Sequence, residues 1–164
     1  MYTYQEALTQ AHEIIELLRP HCSKINLAGS IRRKKAMVKD IEIVCIPLPY
    51  EVGLFESGIA TVVNRWDKVK GELPCKYTQR ILPSGIRLDI FIATEQNYGF
   101  LLAIRTGSAE YSHHVLGYAW TSHGLKSIKG ILTKAGNPIP TPTEQDFFNL
   151  IKLPFIAPEL REVK

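Results

Sequence analysis

Cysteine is scarce in this sequence. Cys22, Cys45 and Cys75 are the only three in 164 residues, they lie far apart in the chain, and no CxxC occurs. An odd, scattered set of this kind argues against a disulfide framework or a cysteine zinc site and suits a reducing cytoplasm. Long hydrophobic runs are missing as well. None approaches the ~20 residues of a membrane-spanning helix, so no membrane partner is expected. The opening MYTYQEALTQAHE carries acids where a secretory signal has a basic stretch and then an apolar run, so no such signal is expected either. Neither sign of charge dominates: 20 Lys and Arg against 16 Asp and Glu give +4, which permits an anionic partner without demanding one. What remains is a globular mix, 45% hydrophobic and 22% charged, long enough for one domain or two small units sharing a core.

Periodicity predicts the elements. Thr3 and Glu6 form a capping-box pair before Ala7, Leu8, Ala11, Ile14, Ile15 and Leu18, which recur at helical spacing over 4–18, and Pro20 stops the helix. A short strand over 25–28 leads into Gly29-Ser30 and the basic run Arg32-Arg33-Lys34-Lys35. KDIEIVCI, residues 39–46, is the strongest strand, closed by Pro47 and Pro49. A helix is expected over about 59–70, with Val62, Val63, Trp66 and Val69 on one side. Two strands follow, 76–82 and 86–92, joined through Pro83-Ser84-Gly85. Beyond Thr94 the pattern predicts helices over 98–104 and 109–122, short turns or strands among Gly130, Gly136, Pro138, Pro140 and Pro142, and a last helix capped by Thr143. The fold class read from this is α+β: a small mixed sheet flanked by helices to about residue 95, then a smaller α+β unit over 96–164.

The chemistry centres on acids. Asp40 and Glu42 stand two apart in a strand, so both leave one face while Ile41 and Ile43 point into the core. Asp89 lies in RLDIF with Arg87 two residues before it on the same face. An acid-x-acid pair alone is most often the solvated face of a sheet. If the two strands are neighbours, however, three carboxylates converge and repel, and a hard divalent cation, magnesium or manganese, is the usual remedy. The segment before the pair shifts the balance. Gly29-Ser30 closes a strand and opens a basic turn, where backbone N–H groups, the Ser30 hydroxyl and the Arg33 guanidinium suit phosphate oxygens.

These residues are recognisable together. AGSIRRKKAMVKDIEIV resembles the nucleotidyltransferase signature of the family X DNA polymerases, the DNA polymerase beta family. RLDIFIA resembles the strand carrying that family's third acid, RTGSAEY its Thr-Gly-Ser nucleotide turn, PTEQDFFNLIKLPFIAPELRE its C-terminal thumb, and EALTQAHEIIELLRP the helix that opens its palm. The resemblance implies a nucleotidyltransferase palm over 1–95 and a thumb-like unit over 96–164, with the family's N-terminal lyase and fingers regions lacking a counterpart. It thereby points to the minimal palm-and-thumb form of the small viral members, and to a bacterial cell or a virus-infected host. Asp40, Glu42 and Asp89 would hold two Mg2+ ions, with Mn2+ as the substitute, and Asp89 would lie nearest the attacking 3′-hydroxyl. Gly29, Ser30 and Arg33 would hold the triphosphate. Thr106, Gly107 and Ser108 would meet sugar and base, with Tyr111 and Ser112 next to them, and Arg87 would sit beside Asp89 and keep it ionised.

The sequence departs from the family pattern in places. Glu42 replaces an aspartate, and Lys39 replaces a glycine, either to contact phosphates or to point into solvent. Ile104-Arg105 stand where two aromatics line the sugar, which weakens the wall against ribonucleotides. Ser112 and Leu116 fall where asparagine and arginine face the DNA minor groove. The expected function is template-directed, distributive, repair-like DNA polymerisation from nucleoside triphosphates on primed or gapped DNA, by a monomer. The alternatives are a transferase adding one or a few nucleotides to RNA, protein or a small molecule without a template, and a non-catalytic binding module. Surface or DNA-facing positions are expected for His113, His114 and His123, and core packing for Trp66 and Trp120.

Overall fold

The computed structural model describes residues 1–163. It is mixed α+β and divides into two compact units, Met1–Ile92 and Ala93–Lys164.

The first unit opens with β1 (Tyr2–Thr3) and α1 (Tyr4–Leu18). Thr3 and Glu6 make the reciprocal capping box, the Glu6 carboxylate accepting from the Thr3 backbone N–H at 2.8 Å. Ala7, Ala11, Ile14, Ile15 and Leu18 form the buried stripe of the helix. Next come β2 (Cys22–Leu27), the single turn α2 (Gly29–Arg32), β3 (Met37–Val38), β4 (Asp40–Pro47), α3 (Ala60–Val63), β5 (Asp67–Lys70), β6 (Tyr77–Ile81) and β7 (Arg87–Ile92). Five strands make one sheet in the order β2-β4-β7-β6-β5. Only β4 and β7 run parallel, and β6 and β7 are the expected hairpin. Ile41, Ile43, Leu88 and Ile90 are wholly buried on the face covered by α1, which leaves the alternate residues of both strands on the other face.

The helix expected over 59–70 is an error of period. Only Ala60–Val63 is helical, and Asp67–Lys70 is an edge strand paired with β6. Val62 and Val63 are buried as expected, but Val69 is 54% exposed. Its spacing fits a helical stripe by coincidence, while sheet closure over Thr78 and Arg80 decides the local structure. Antiparallel pairing of β2 and β4 sets Cys22 opposite Pro47 and within hydrogen-bonding reach of Cys45, which the sequence separation concealed; the hydrogen bond that Cys45 donates to Cys22, with burial, pushes the Cys45 thiol well up.

In the second unit α4 (Tyr98–Thr106) is followed by a π-helical stretch, Tyr111–Gly117, which runs on into α5 (Tyr118–Ser122). The hairpin β8 (Leu125–Ile128) and β9 (Ile131–Lys134) carries β10 (Asn137–Pro138) at its edge, and α6 (Glu144–Leu150) closes the unit under a Thr143/Asp146 capping box. Gly99 lets α4 meet α6: a Cβ there would lie 1.9 Å from the Thr143 carbonyl. Phe100, Phe147 and Phe148 fill the core, with Trp120 against Phe100 at 5.2 Å.

Arg161 anchors the C-terminal segment. It is wholly buried, donates through Nη1 to Glu144 and through Nε to the Ile156 carbonyl at 2.8 Å, and lies over the rings of Phe148 and Phe155. Removing one partner of a buried ion pair is costly, so Arg161→Ala is expected to destabilise this unit by about 3 kcal/mol. Urea unfolding followed by Trp120 fluorescence in a Trp66→Phe background measures it, and a loss under about 1 kcal/mol would mean the pair contributes no more than an exposed one.

Candidate active site

The first unit brings the expected acids onto one face. In the parallel pairing of β4 and β7, Asp40 lies opposite Arg87 and Glu42 opposite Asp89. Because side chains alternate, Asp40, Glu42 and Asp89 all project away from the α1 side. Each carboxylate has its own setting. Asp40 accepts from Arg87 Nη2 at 3.3 Å. Asp89 is 8% exposed, and its Oδ1 accepts from Gln79 Nε2 at 2.7 Å and from Tyr77 Oη at 2.9 Å. Arg87 therefore serves Asp40, and the neighbours of Asp89 are Tyr77 and Gln79 instead, because register sets Arg87 directly across from the first acid.

Burial, and next the charge of Asp89, raise the Asp40 carboxyl above its ordinary value, while Arg87 and Lys39 oppose the shift. An acid raised on folding favours the protonated form. Its contribution to stability is full below the unfolded value, about 3.9, and is lost as pH rises through the folded one. Asp40→Asn is accordingly expected to melt above the parent at neutral pH, with the gap closing as pH falls below the usual carboxylate range. Thermal unfolding of both proteins across that range checks it, and equal melting at neutral pH would overturn it.

Gly29 starts α2 with φ +58°, and its missing side chain makes room for Glu42: a Cβ on Gly29 would stand 1.6 Å from Glu42 Oε2. Ser30 Oγ is buried and has no hydrogen-bond partner among the described residues. Ser30 is one of the residues lining a cavity of about 290 Å³, together with Arg33, Lys35, Lys39, Asp40 and Glu42. Lys39 is exposed and contributes to the lining of this cavity. Three cations beside two carboxylates, with an orphaned hydroxyl, suit a phosphate ester carrying divalent cations.

Among the described residues, no three His, Cys, Asp or Glu side chains are gathered closely enough to hold a metal. The donor chemistry nevertheless fits a hard cation. All three candidates are carboxylates on strands in register, Asp40 carries the penalty of Asp89's charge, and Asp89 Oδ2 accepts no hydrogen bond among the described residues.

The remaining expected site residues lie in the second unit. Thr106 ends α4 fully buried, Gly107 caps it, and Ser108 Oγ accepts from the Tyr111 N–H at 3.1 Å. Tyr111 is 5% exposed within the core rather than open for a base, because the π-helical stretch turns its ring inward. Ser112 donates to its own unit's Ile104 carbonyl at 2.7 Å, and Leu116 is fully buried. The His113 and His114 rings meet edge to face at 4.8 Å, and His123 Nδ1 lies 2.8 Å from the Ala119 carbonyl. No helix among the described residues is long and apolar enough to cross a membrane.

Residues 101–162 match the family model of the DNA polymerase beta thumb. Over 95% of its length the chain is 32% identical to the DNA polymerase/3′-5′ exonuclease PolX of Bacillus subtilis (strain 168). The chain is similar to the DNA polymerases of family X. It is also 32% identical, over 87 residues, to DNA polymerase lambda of Rattus norvegicus. The match to PolX spans 28% of that protein's length, and the match to polymerase lambda takes in 46% of this chain and 15% of that relative. Against this family X background, Tyr77 and Gln79 are the site residues that sequence reasoning missed. Their signal was present: on β6 they alternate as Asp40 and Glu42 do on β4, in the strand joined to RLDIF by a hairpin turn.

Proposed function

We propose that this chain is a template-directed DNA polymerase that transfers nucleotides from nucleoside triphosphates to a primer 3′-hydroxyl. The observation that carries the reading is the direct pairing of Glu42 with Asp89, with Asp40 on the same face, beside a cavity lined by Ser30, Arg33 and Lys39. In this reading Asp40, Glu42 and Asp89 hold two magnesium ions, or manganese in their place. When bound, such ions neutralise charge that develops on the transferring phosphoryl group. Ser30 donates its hydroxyl hydrogen to a phosphate oxygen, and Arg33 and Lys39 draw the triphosphate against the turn that Gly29 makes. Asp89 turns Oδ2 toward the 3′-hydroxyl and accepts its proton. Arg87 keeps Asp40 oriented through the bond it already makes. The resemblance of RTGSAEY assigns sugar and base to Thr106, Gly107 and Ser108. Contact with DNA through phosphates is salt-sensitive, and distributive extension is part of the same reading.

A second reading, untemplated addition of one or a few nucleotides, is favoured by one feature. Of Ser112 and Leu116, which stand where the family contacts the minor groove, Leu116 is fully buried and Ser112 has its hydroxyl hydrogen committed to the Ile104 carbonyl. Labelled primer, with and without template, is incubated with each nucleotide and with magnesium or manganese. Extension that requires the template supports the polymerase. Equal extension without it supports the transferase, and silence under every condition removes both.

A further inference from the structure

We propose that Tyr77 and Gln79 are positioning residues for Asp89: a pair of neutral donors that fixes one carboxylate oxygen and so aims the other at the reaction. The inference rests on the polymerase reading for its functional consequence, but on geometry alone for its substance. Gln79 is the register partner of Asp89 across β6 and β7, and Tyr77 lies two residues before it on the same face. Gln79 Nε2 donates to Asp89 Oδ1 at 2.7 Å and to Tyr77 Oη at 3.2 Å, and Tyr77 Oη donates to the same Oδ1 at 2.9 Å. The three side chains close a ring of hydrogen bonds on a residue that is almost wholly buried. Tyr77 is itself held. Its ring stacks on Phe91 with centroids 5.0 Å apart and planes 24° from parallel, and Lys70 Nζ lies 5.9 Å from its centroid.

The two oxygens of an aspartate are interchangeable until something distinguishes them, and the torsion that swaps them is soft. Two donors on Oδ1 remove that freedom and leave Oδ2, which accepts no hydrogen bond among the described residues, as the working atom. The chemistry of the donors matters as much as their place. A guanidinium here would orient the carboxylate and also neutralise it. A phenol and an amide orient it and leave its full charge for a cation and for the proton it receives. Arg87, the cation nearest in sequence, is turned to Asp40 instead. Partners of this kind behind a metal ligand are commonly worth one or two orders of magnitude in affinity or rate.

The test uses Tyr77→Phe, which removes the hydroxyl and keeps the stacked ring, and Gln79→Leu, which removes the amide. Each is made alone and again with Asp89→Ala. Melting temperature without metal, Mn2+ affinity by water-proton relaxation, and primer-extension kinetics are measured. The expected result is a near-parental melting temperature, Mn2+ binding weakened by about tenfold, and kcat reduced by about tenfold or more with KM for the nucleotide within about threefold. With Asp89→Ala already present, neither substitution should change Mn2+ affinity by more than about twofold. Parental Mn2+ affinity in both single variants overturns the proposal, as does an equal loss with and without Asp89. If one variant unfolds, the other decides. Should the parent extend no primer, weakened Mn2+ binding that depends on Asp89 still upholds the positioning role while the polymerase reading falls. Should the parent extend primers and the variants match it, the reading stands and the positioning role falls. A parent that neither binds Mn2+ nor extends primers overturns both.

Discussion

Asp89→Ala is expected to abolish primer extension, lowering kcat by at least about 10⁴-fold, while the protein still folds. Loss of a general base alone removes about 10²–10⁴ in rate, and in the proposed mechanism the same side chain also holds the cations. The fold tolerates the change because Asp89 sits on the face of the sheet opposite the main core. Ile41, Ile43, Leu88 and Ile90, which hold β4 and β7 together, lie on the other side. Truncation leaves two half-buried donors: Gln79 Nε2 still donates to Tyr77 Oη at 3.2 Å, and the Tyr77 hydroxyl hydrogen loses its acceptor. The stability loss should stay within about 1–3 kcal/mol. Single-turnover extension at saturating nucleotide, beside a urea melt, separates the two effects. A cooperatively folded variant within tenfold of the parent would show that the third acid is misassigned.

Much of this site is legible from the sequence, for a local reason. Alternation in KDIEIV and RLDIF already states which residues share a face, and the capping pairs Thr3/Glu6 and Thr143/Asp146 are written in four-residue spans that fold as written. Where the local rule fails, a partner distant in sequence has decided. Asp67–Lys70 looks helical until β6 supplies an edge to pair with. Arg87 and Asp89 share a strand face, but the parallel register gives Arg87 to Asp40, 47 residues away. Tyr111 follows its turn as a base-stacking residue should, yet a π-helical stretch, which periodicity at 3.6 cannot announce, buries it. Tyr77 and Gln79 are silent as isolated letters and acquire meaning only when a hairpin sets them against an acid.

Gly29→Ala is expected to cost about 10²–10³ in kcat/KM, and a second substitution at Glu42 should return part of it. Two effects meet at this glycine. Its φ of +58° is a left-handed conformation that costs an L-residue about 1–2 kcal/mol. The larger effect is a collision. A new Cβ would lie 1.6 Å from Oε2 and 2.6 Å from Cδ of Glu42, distances no contact survives. Gly29 is backbone within a hydrogen-bonded turn, its carbonyl accepting from the Arg33 N–H at 3.1 Å, so the flexible glutamate must yield. A ligand carboxylate displaced by about 1 Å or more is enough to lose about 10²-fold in rate. The same geometry explains why a glutamate fits where the family pattern has aspartate: its extra methylene carries the carboxylate into the notch left by the missing side chain. Glu42→Asp draws the carboxylate back by one bond, which removes the atom at 1.6 Å and leaves Cγ 3.1 Å from the new methyl group. Glu42→Asp alone should therefore remain active, and Gly29→Ala with Glu42→Asp should exceed Gly29→Ala alone by about tenfold, a coupling of about 1.4 kcal/mol in a double-mutant cycle. If the double variant is no better than Gly29→Ala, the strained backbone of the phosphate turn, and not the glutamate above it, carries the loss.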